Sequence, residues 1–478
     1  MIDGLKPYPA MKDSGVPWLG EVPKHWTVDR GKTLFRCVDV RSSSGEEELL
    51  TVSSAHGVVP RSSVAVTMFK AESYIGYKLC WPGDLVINSL WAWGRGLGVS
   101  RQHGIVSSAY GVYRLRPLYS RYPAYIHELV RSTPFQWELQ VRSKGIWISR
   151  LQLTDEAFLG APFPVPPCSE QAAIVRFLEH AAHRIRRYIR AKQKLIKLLE
   201  EQKQAIIQRA VTRGLDPDVR LKPSGVEWLG DVPKHWDVRR IASFSPKITN
   251  GWVGPTRDIL KEKGIPYVQS LHIKRGKIRF EKKYFVDAQW LERHPKVRLR
   301  QGDVVVVQTG DIGQVACVTQ EFDGAGCHAL IIIRTDLRVV GGEFLDLVLR
   351  SRYGYESLKS IQTGALHPHL NCTWVREMFI PVPPIREQTD ILRAVFEATQ
   401  SLERAIEDAE RAVLLLRECH TRLIADVVTG KLDVREASAQ LPEATEAPEV
   451  SEEADSPGEA EYADGADTDG MPEEEAES

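Results

Sequence analysis

The stretch Ser14-Gly15-Val16-Pro17-Trp18-Leu19-Gly20-Glu21-Val22-Pro23-Lys24-His25-Trp26 returns 210 residues later as Ser224-Gly225-Val226-Glu227-Trp228-Leu229-Gly230-Asp231-Val232-Pro233-Lys234-His235-Trp236. A second echo, offset by 217, carries Pro164-Val165-Pro166-Pro167 with Glu170-Gln171 onto Pro381-Val382-Pro383-Pro384 with Glu387-Gln388. It continues without a gap to Thr212 and Asp216 against Thr429 and Asp433. Two copies of one frame predict a pseudo-twofold molecule. Such a molecule suits a partner that is itself roughly twofold, and duplex DNA is one.

Between the repeated blocks the sequences diverge. Residues 29–160 carry no sustained helical period but short β-rich runs at 49–53, 84–87 and 111–115. The region 240–380 is similar, with 304–307 and 330–333 as its clearest strands, and Gly83-Asp84 and Gly302-Asp303 stand as matching turns. A frame kept around changed contents is what two readers of different targets would show.

Each Pro-Pro pair opens a long helical segment. In the first, Ile174, Leu178, Ala181, Ile185, Tyr188, Lys192, Leu195, Leu199, Gln202 and Ile206 alternate at four and three. In the second, the seam reads Ile391, Val395, Ala398, Leu402, Ala405, Ala409, Ala412, Leu416, Cys419 and Leu423. Heptads sustained this long predict an antiparallel coiled coil. About 40 residues give roughly 60 Å of helix, the length of about 17 base pairs, so the pair would act as a ruler between two reading heads. The first helix is also basic, with Arg184, Arg186, Arg187, Arg190, Lys192, Lys194 and Lys197 close together, while the second carries Glu403, Glu407, Asp408 and Glu410.

The predicted fold class is therefore α+β: two mixed, mostly β domains separated by two long helices in an antiparallel coiled coil, with an internal pseudo-twofold repeat. The expected divisions are an N-terminal segment at 1–21, a first β-rich domain at 22–160, a helical spacer at 161–216 and a repeated linker at 217–231. A second β-rich domain follows at 232–380, then a second spacer at 381–435 and a tail at 436–478. Residues 1–10 precede Met11 and read as a dispensable extension.

The formal charge of zero over 478 residues is misleading. Residues 436–478 hold 16 acidic side chains and no Lys or Arg, leaving the rest with 63 basic against 47 acidic residues, a net +16. The body thus favours a polyanion, and the tail, poor in large apolar side chains, is expected to be disordered. The seven cysteines form no CxxC pair, which argues against a disulfide framework or structural zinc. No basic leader with an apolar run and no apolar stretch of 18 residues occurs, so a cytoplasmic location is expected.

Signatures of catalysis are missing. There is no glycine-rich cofactor loop with an Asn/Asp-Pro-Pro-aromatic stretch, and no Gly-x-x-x-x-Gly-Lys-Ser/Thr loop. Gly94-Arg95-Gly96-Leu97-Gly98 reads as a flexible loop. His25 and His235 sit between lysine and tryptophan, where packing or a local hydrogen bond is the simpler role. His367, His369 and Cys372 lack a sensibly spaced fourth ligand, so no metal is expected.

Base readout draws on Arg, Lys, Asn and Gln, and phosphate contact on Lys, Arg, Ser and Thr. In the first β-rich domain the candidates are Asn88, Trp91, Trp93, Arg95, Arg101, Gln102, Arg142, Lys144 and Trp147. In the second they are Gln269, His272, Lys274, Arg275, Lys277, Gln308, Thr309, Gln362, Thr363 and His369. The repeated Trp18, Leu19, Trp26, Trp228, Leu229 and Trp236 should serve something common to both halves, either domain packing or docking of an identical partner.

Taken together, the paired Ser-Gly-Val-x-Trp-Leu-Gly-x-Val-Pro-Lys-His-Trp blocks, the Pro-x-Pro-Pro-x-x-Glu-Gln helix starts and the ends at Thr212 and Thr429 resemble the specificity subunit of a Type I restriction-modification system. The resemblance covers roughly residues 11–435. It implies two target-recognition domains that each read half of a split DNA sequence, with the helices setting the unread spacer. It implies as partners double-stranded DNA, two modification subunits and two restriction subunits. S-adenosylmethionine, ATP and Mg2+ would belong to those partners, and this chain would catalyse nothing. The competing reading is a DNA-targeting scaffold of another defence or regulatory complex without a methyltransferase. A coiled-coil structural protein and an enzyme with an unfamiliar site are further contrasts.

Overall fold

The computed structural model describes residues 5–64, 71, 73–119, 122–145, 151–364 and 369–442. The chain divides at 190/191 and 412/413 into two compact units, the outer segments forming one and residues 191–412 the other.

In the first unit an antiparallel sheet runs in the order Phe35–Cys37, Tyr110–Leu115, Leu85–Asn88, Leu97–Val99. In the second, Lys247–Asn250, Leu330–Arg334, Val304–Val307 and Val315–Cys317 take the same order. Both sheets are nearly continuous apolar runs at their centres because both faces are covered. The two turns noted in the sequence share one device. Arg114 donates from Nε and Nη2 to both oxygens of Asp84 at 2.7 Å, and Arg334 does the same to Asp303 at 2.7 and 2.6 Å. Each aspartate is 1% exposed, and each also accepts a backbone N–H, from Trp81 or Arg300. A buried carboxylate is tolerated only when paired and hydrogen-bonded in this way.

A two-stranded pairing ties each β-rich region to a helix start: Thr27–Arg30 with Pro162–Val165, and Asp237–Arg240 with Phe379–Val382. The long helices follow at once, Cys168–Arg213 and Ile385–Val428. They end at Gly214 and Gly430, whose φ values of 74° and 76° are left-handed and suit glycine at a helix C-terminus. In the first unit Ile174, Phe177, Leu178 and Ala181 share a core with Leu423, Val427 and Val428. In the second, Ile207, Ala210 and Val211 share one with Ile391 and Val395, while Lys203 pairs with Glu403. Within each unit the two helices therefore run antiparallel.

The expected seven-residue seam is covered at most of its positions but not at all of them. Tyr188 is 55% and Leu195 42% exposed, and Gln202, Ala398 and Cys419 are exposed too. A stripe stepping by eleven is covered throughout, at Ile174, Ile185, Ile196 and Ile207 on one helix and at Ile391, Leu402, Val413 and Ile424 on the other. Eleven residues in three turns match an unstrained helix more closely than seven in two, so the apolar stripe drifts around the helix more slowly than a heptad seam would.

Two boundary expectations are corrected. Tyr8 in the N-terminal extension is 4% exposed, packs edge-on against Trp26 and donates to Glu170 at 3.2 Å. Lys6 bridges Asp433. An apolar ring held this way is part of the core rather than an appendage. The tail likewise does not become irregular at 436, because Arg435–Ala439 is helical above a fully buried Val434. The acidic segment beyond residue 442 lies outside the described residues. No described helix is long and apolar enough to cross a membrane.

Candidate nucleic-acid interface

The repeated motifs fold onto each other. In the first unit Trp26 is fully buried and donates from Nε1 to Glu170 Oε2 at 2.7 Å, and His25 donates from Nε2 to Oε1 at 2.5 Å. In the second, Trp236 donates to Glu387 at 3.0 Å and His235 at 2.8 Å. The neighbouring Gln171 and Gln388 donate to the carbonyls of Pro166 and Pro383, holding the chain as it enters each helix. The histidines thus make local hydrogen bonds, as expected. Leu19 and Leu229 are buried as well, at 2% and 5% exposed. The first tryptophans of the repeat differ. Trp18 meets Phe135 edge-on at 5.6 Å, while Trp228 is 70% exposed.

This frame holds a β-rich head in each unit, and each head collects part of the candidate set at one end of its sheet. In the first, Asn88, Trp91, Trp93 and Arg95 lie in the connection from Leu85–Asn88 to Leu97–Val99. Trp91 and Trp93 stack at 6.4 Å, and Arg95 takes φ 66°. The chain after the helix Thr133–Arg142 returns to this end, since the backbones of Lys144 and Gln152 pair and Leu153 donates to the Ser89 carbonyl. Lys144 is exposed. Arg142 is occupied by Glu138 one turn back. Arg101 and Gln102 follow Leu97–Val99 and so sit at the opposite end of the sheet, where Gln102 donates to Glu48. Trp147 is outside the described residues.

Gly94-Arg95-Gly96-Leu97-Gly98 is not a loose loop. A Cβ at Gly94 would collide with the Trp91 indole, and one at Gly98 would meet Gly57 at 2.9 Å. The glycines are there for close packing. Arg131, which the sequence did not single out, locks the same connection. Its guanidinium donates to the carbonyls of Ser53, Ser54, Ala55, Arg95 and Leu97 between 2.6 and 3.3 Å. Burial lowers its pKa to about 10, with Arg95 adding to the effect. His127 beside it is pushed down to about 4, first by burial and then by Arg131, and its Nδ1 accepts from Val99 N–H. Neither residue had a periodic or motif signal, because their partners lie 28 to 78 positions away.

In the second head, Gln308, Thr309, Thr363 and His369 meet at the corresponding sheet end. Thr309 and Thr363 both bridge His369, and Leu370 donates to the Gln308 carbonyl. Gln362 adjoins them and is half-buried. The Gln308 side-chain oxygen is buried with no hydrogen-bond partner among the described residues. Lys274 and Lys277 are exposed on the hairpin Ile273–Lys274 with Lys277–Ile278, which approaches the same connection through Arg275 N–H and Gln314 Oε1 at 3.3 Å. Two candidates are corrected. His272 is fully buried, with Nδ1 accepting from Gln269 N–H and Nε2 donating to the Lys282 carbonyl, so its ring reaches no groove. Gln269 caps that same turn through this exchange. Arg275 is engaged by Glu410 at 2.6 Å and Glu200 at 3.5 Å and works as a strut. Among the described residues no group of His, Cys, Asp and Glu is arranged to hold a metal ion, and His367 lies outside them.

The two units thus each carry a sheet of one strand order, mounted by the same clamp, with a polar cluster at the corresponding sheet end. The family profile described as the Type I restriction modification DNA specificity domain matches residues 233–410. The MjaVIII specificity subunit of Methanocaldococcus jannaschii is 22% identical over 305 residues, 62% of this chain and 68% of that one. The EcoBI specificity subunit of Escherichia coli is 23% identical over 256 residues, 52% of this chain and 54% of its own length. A solved chain from a type I R-M system shares the fold at TM-score 0.59 and 16% identity, over 85% of this chain and 98% of that one. The chain is a homologue of the specificity subunits of Type I restriction-modification systems.

Proposed function

We infer that this chain is the non-catalytic, sequence-specific DNA-binding subunit of a Type I restriction-modification complex, reading a bipartite target and directing adenine methylation and restriction by its partners. The observation that carries this reading is one clamp and one sheet built twice beneath two unlike polar clusters. A repeated mount with divergent loops separates holding from reading. Asn88, Trp93, Arg95 and Lys144 would read one half-site, and Gln308, Thr309, Thr363 and His369 the other, with Lys274 and Lys277 on phosphates. Arg101, Gln102, Gln362 and Arg142 would lie at the margins. The antiparallel helices would fix the unread gap.

The partners would be two modification subunits, bringing S-adenosylmethionine, and two restriction subunits, bringing ATP and Mg2+. The exposed Trp228 supports docking of a partner at the repeated blocks. The reducing cytoplasm suits a chain whose seven cysteines are all free. Mapping methylated adenine genome-wide in cells carrying the intact system tests the reading. A two-part motif with a fixed gap is expected, and exchanging residues 88–97 should change one part only. A continuous motif, or no motif that depends on this chain, would defeat it.

A further inference from the structure

One strongly charged surface is not used by the clamp, the sheets or the polar clusters. On the first long helix Arg176, His183, Arg187 and Arg190 are exposed, and at 3.6 residues per turn they share one face about 60° wide. Arg184 borders this face on one side, and Glu179 is the carboxylate nearest to it. Arg184, Arg187 and Arg190 form no ion pair among the described residues. An exposed row of arginines without ion-pair partners among the described residues is a standing site for a polyanion.

The same face is where the folded C-terminal part ends. Arg176 donates from Nη2 to the carbonyls of Leu441 at 2.6 Å and Pro442 at 3.0 Å. These bonds fix the departure point of residues 443–478, which hold 15 carboxylates and no Lys or Arg. Arg190 lies only about 21 Å further along the helix, while 36 residues extend to roughly 120 Å. The tether also gives the segment an effective concentration of about millimolar over that row. We propose that the acidic segment 443–478 docks along the Arg176–Arg190 face as an intramolecular polyanion, occupying it against non-specific duplex DNA. Its length, its charge and its anchored start single it out as the occupant, and the inference holds whether or not a methyltransferase binds this chain.

The test uses the full chain and a full-length variant whose 15 segment carboxylates are replaced by the matching amides. Arginine labelling with phenylglyoxal at low salt, resolved by peptide mass spectrometry, should be at least about threefold faster at Arg184, Arg187 and Arg190 in the variant, with Arg36 unchanged as an exposed control. Equal labelling in both proteins overturns docking, as does protection that comes only when duplex is added, which would assign the face to DNA. Binding of an unrelated duplex at low salt gives the second readout. The amide variant should bind about tenfold more tightly, and that gain should shrink in an Arg184→Gln, Arg187→Gln, Arg190→Gln background. The same gain in both backgrounds would mean that the segment acts through overall charge, and the docked arrangement would fall.

Discussion

Trp26 donates to Glu170 across 2.7 Å although 144 positions separate them, and this bond joins the two motifs that the sequence repeats. The second copy, Trp236 with Glu387, spans 151 positions. Each β-rich head is thus stitched shut at its base by the block before it and the helix after it, leaving its far end free to vary.

The two clamps are unequal. Glu170 also accepts from Tyr8 and lies 3.4 Å from Arg435, whereas among the described residues Glu387 has only Trp236 and His235. Glu170→Ala should cost about 3 kcal/mol, and Glu387→Ala about half that, since a buried donor left unpaired carries the larger penalty. Hydrogen exchange at residues 22–26 and 232–236 reads the difference, and equal loss of protection in the two variants would contradict it.

His127 should make the first unit acid-sensitive. Its folded pKa of about 4 lies below the ordinary 6.5, so the unfolded chain takes up the proton first. The stabilisation is complete above about pH 6.5 and is lost as pH falls toward 4, close to 2 kcal/mol of it between about pH 7 and 5. Urea unfolding at the two pH values should show this loss in the parent and little of it in His127→Gln.

Arg131→Met removes five bonds to carbonyls at once. A destabilisation of about 2–4 kcal/mol is expected, with faster exchange at residues 53–55 and 95–97. Because the Arg95 connection would lose its brace, recognition of one half-site should weaken while the other half-site is unaffected. Methylation assays on duplexes altered in either half distinguish the two.

Trp228→Ala should leave stability within about 0.5 kcal/mol, as expected of an exposed side chain, while weakening capture of the modification subunit. Trp18→Ala should instead cost about 1–2 kcal/mol through its lost ring contact with Phe135. Unchanged capture by a folded Trp228→Ala protein would remove docking at that position.

Much of the architecture was legible because local chemistry announces it. The Pro-Pro pairs and Gly214 and Gly430 bracket the helices, and the β-rich runs at 84–87 and 304–307 became central strands. The candidate site was less legible. Asn88 and Arg95 were singled out because polar residues follow a strand, but the same rule selected His272, whose ring is buried, and Arg275, which two glutamates hold. Polarity marks a residue able to hydrogen-bond, and only the surrounding fold sets whether its partner is protein or ligand.

The sequence by itself determined the duplication, the two long helices, the basic body and the acidic end, since these are properties of order and composition. The tertiary structure alone decided that Glu170 would meet Trp26, that Arg131 would gather five carbonyls, and that the helix stripe would step by eleven. Those outcomes depend on side chains far apart in the chain competing for the same buried space, where an unpaired charge or a misplaced apolar face costs more free energy than any local preference supplies.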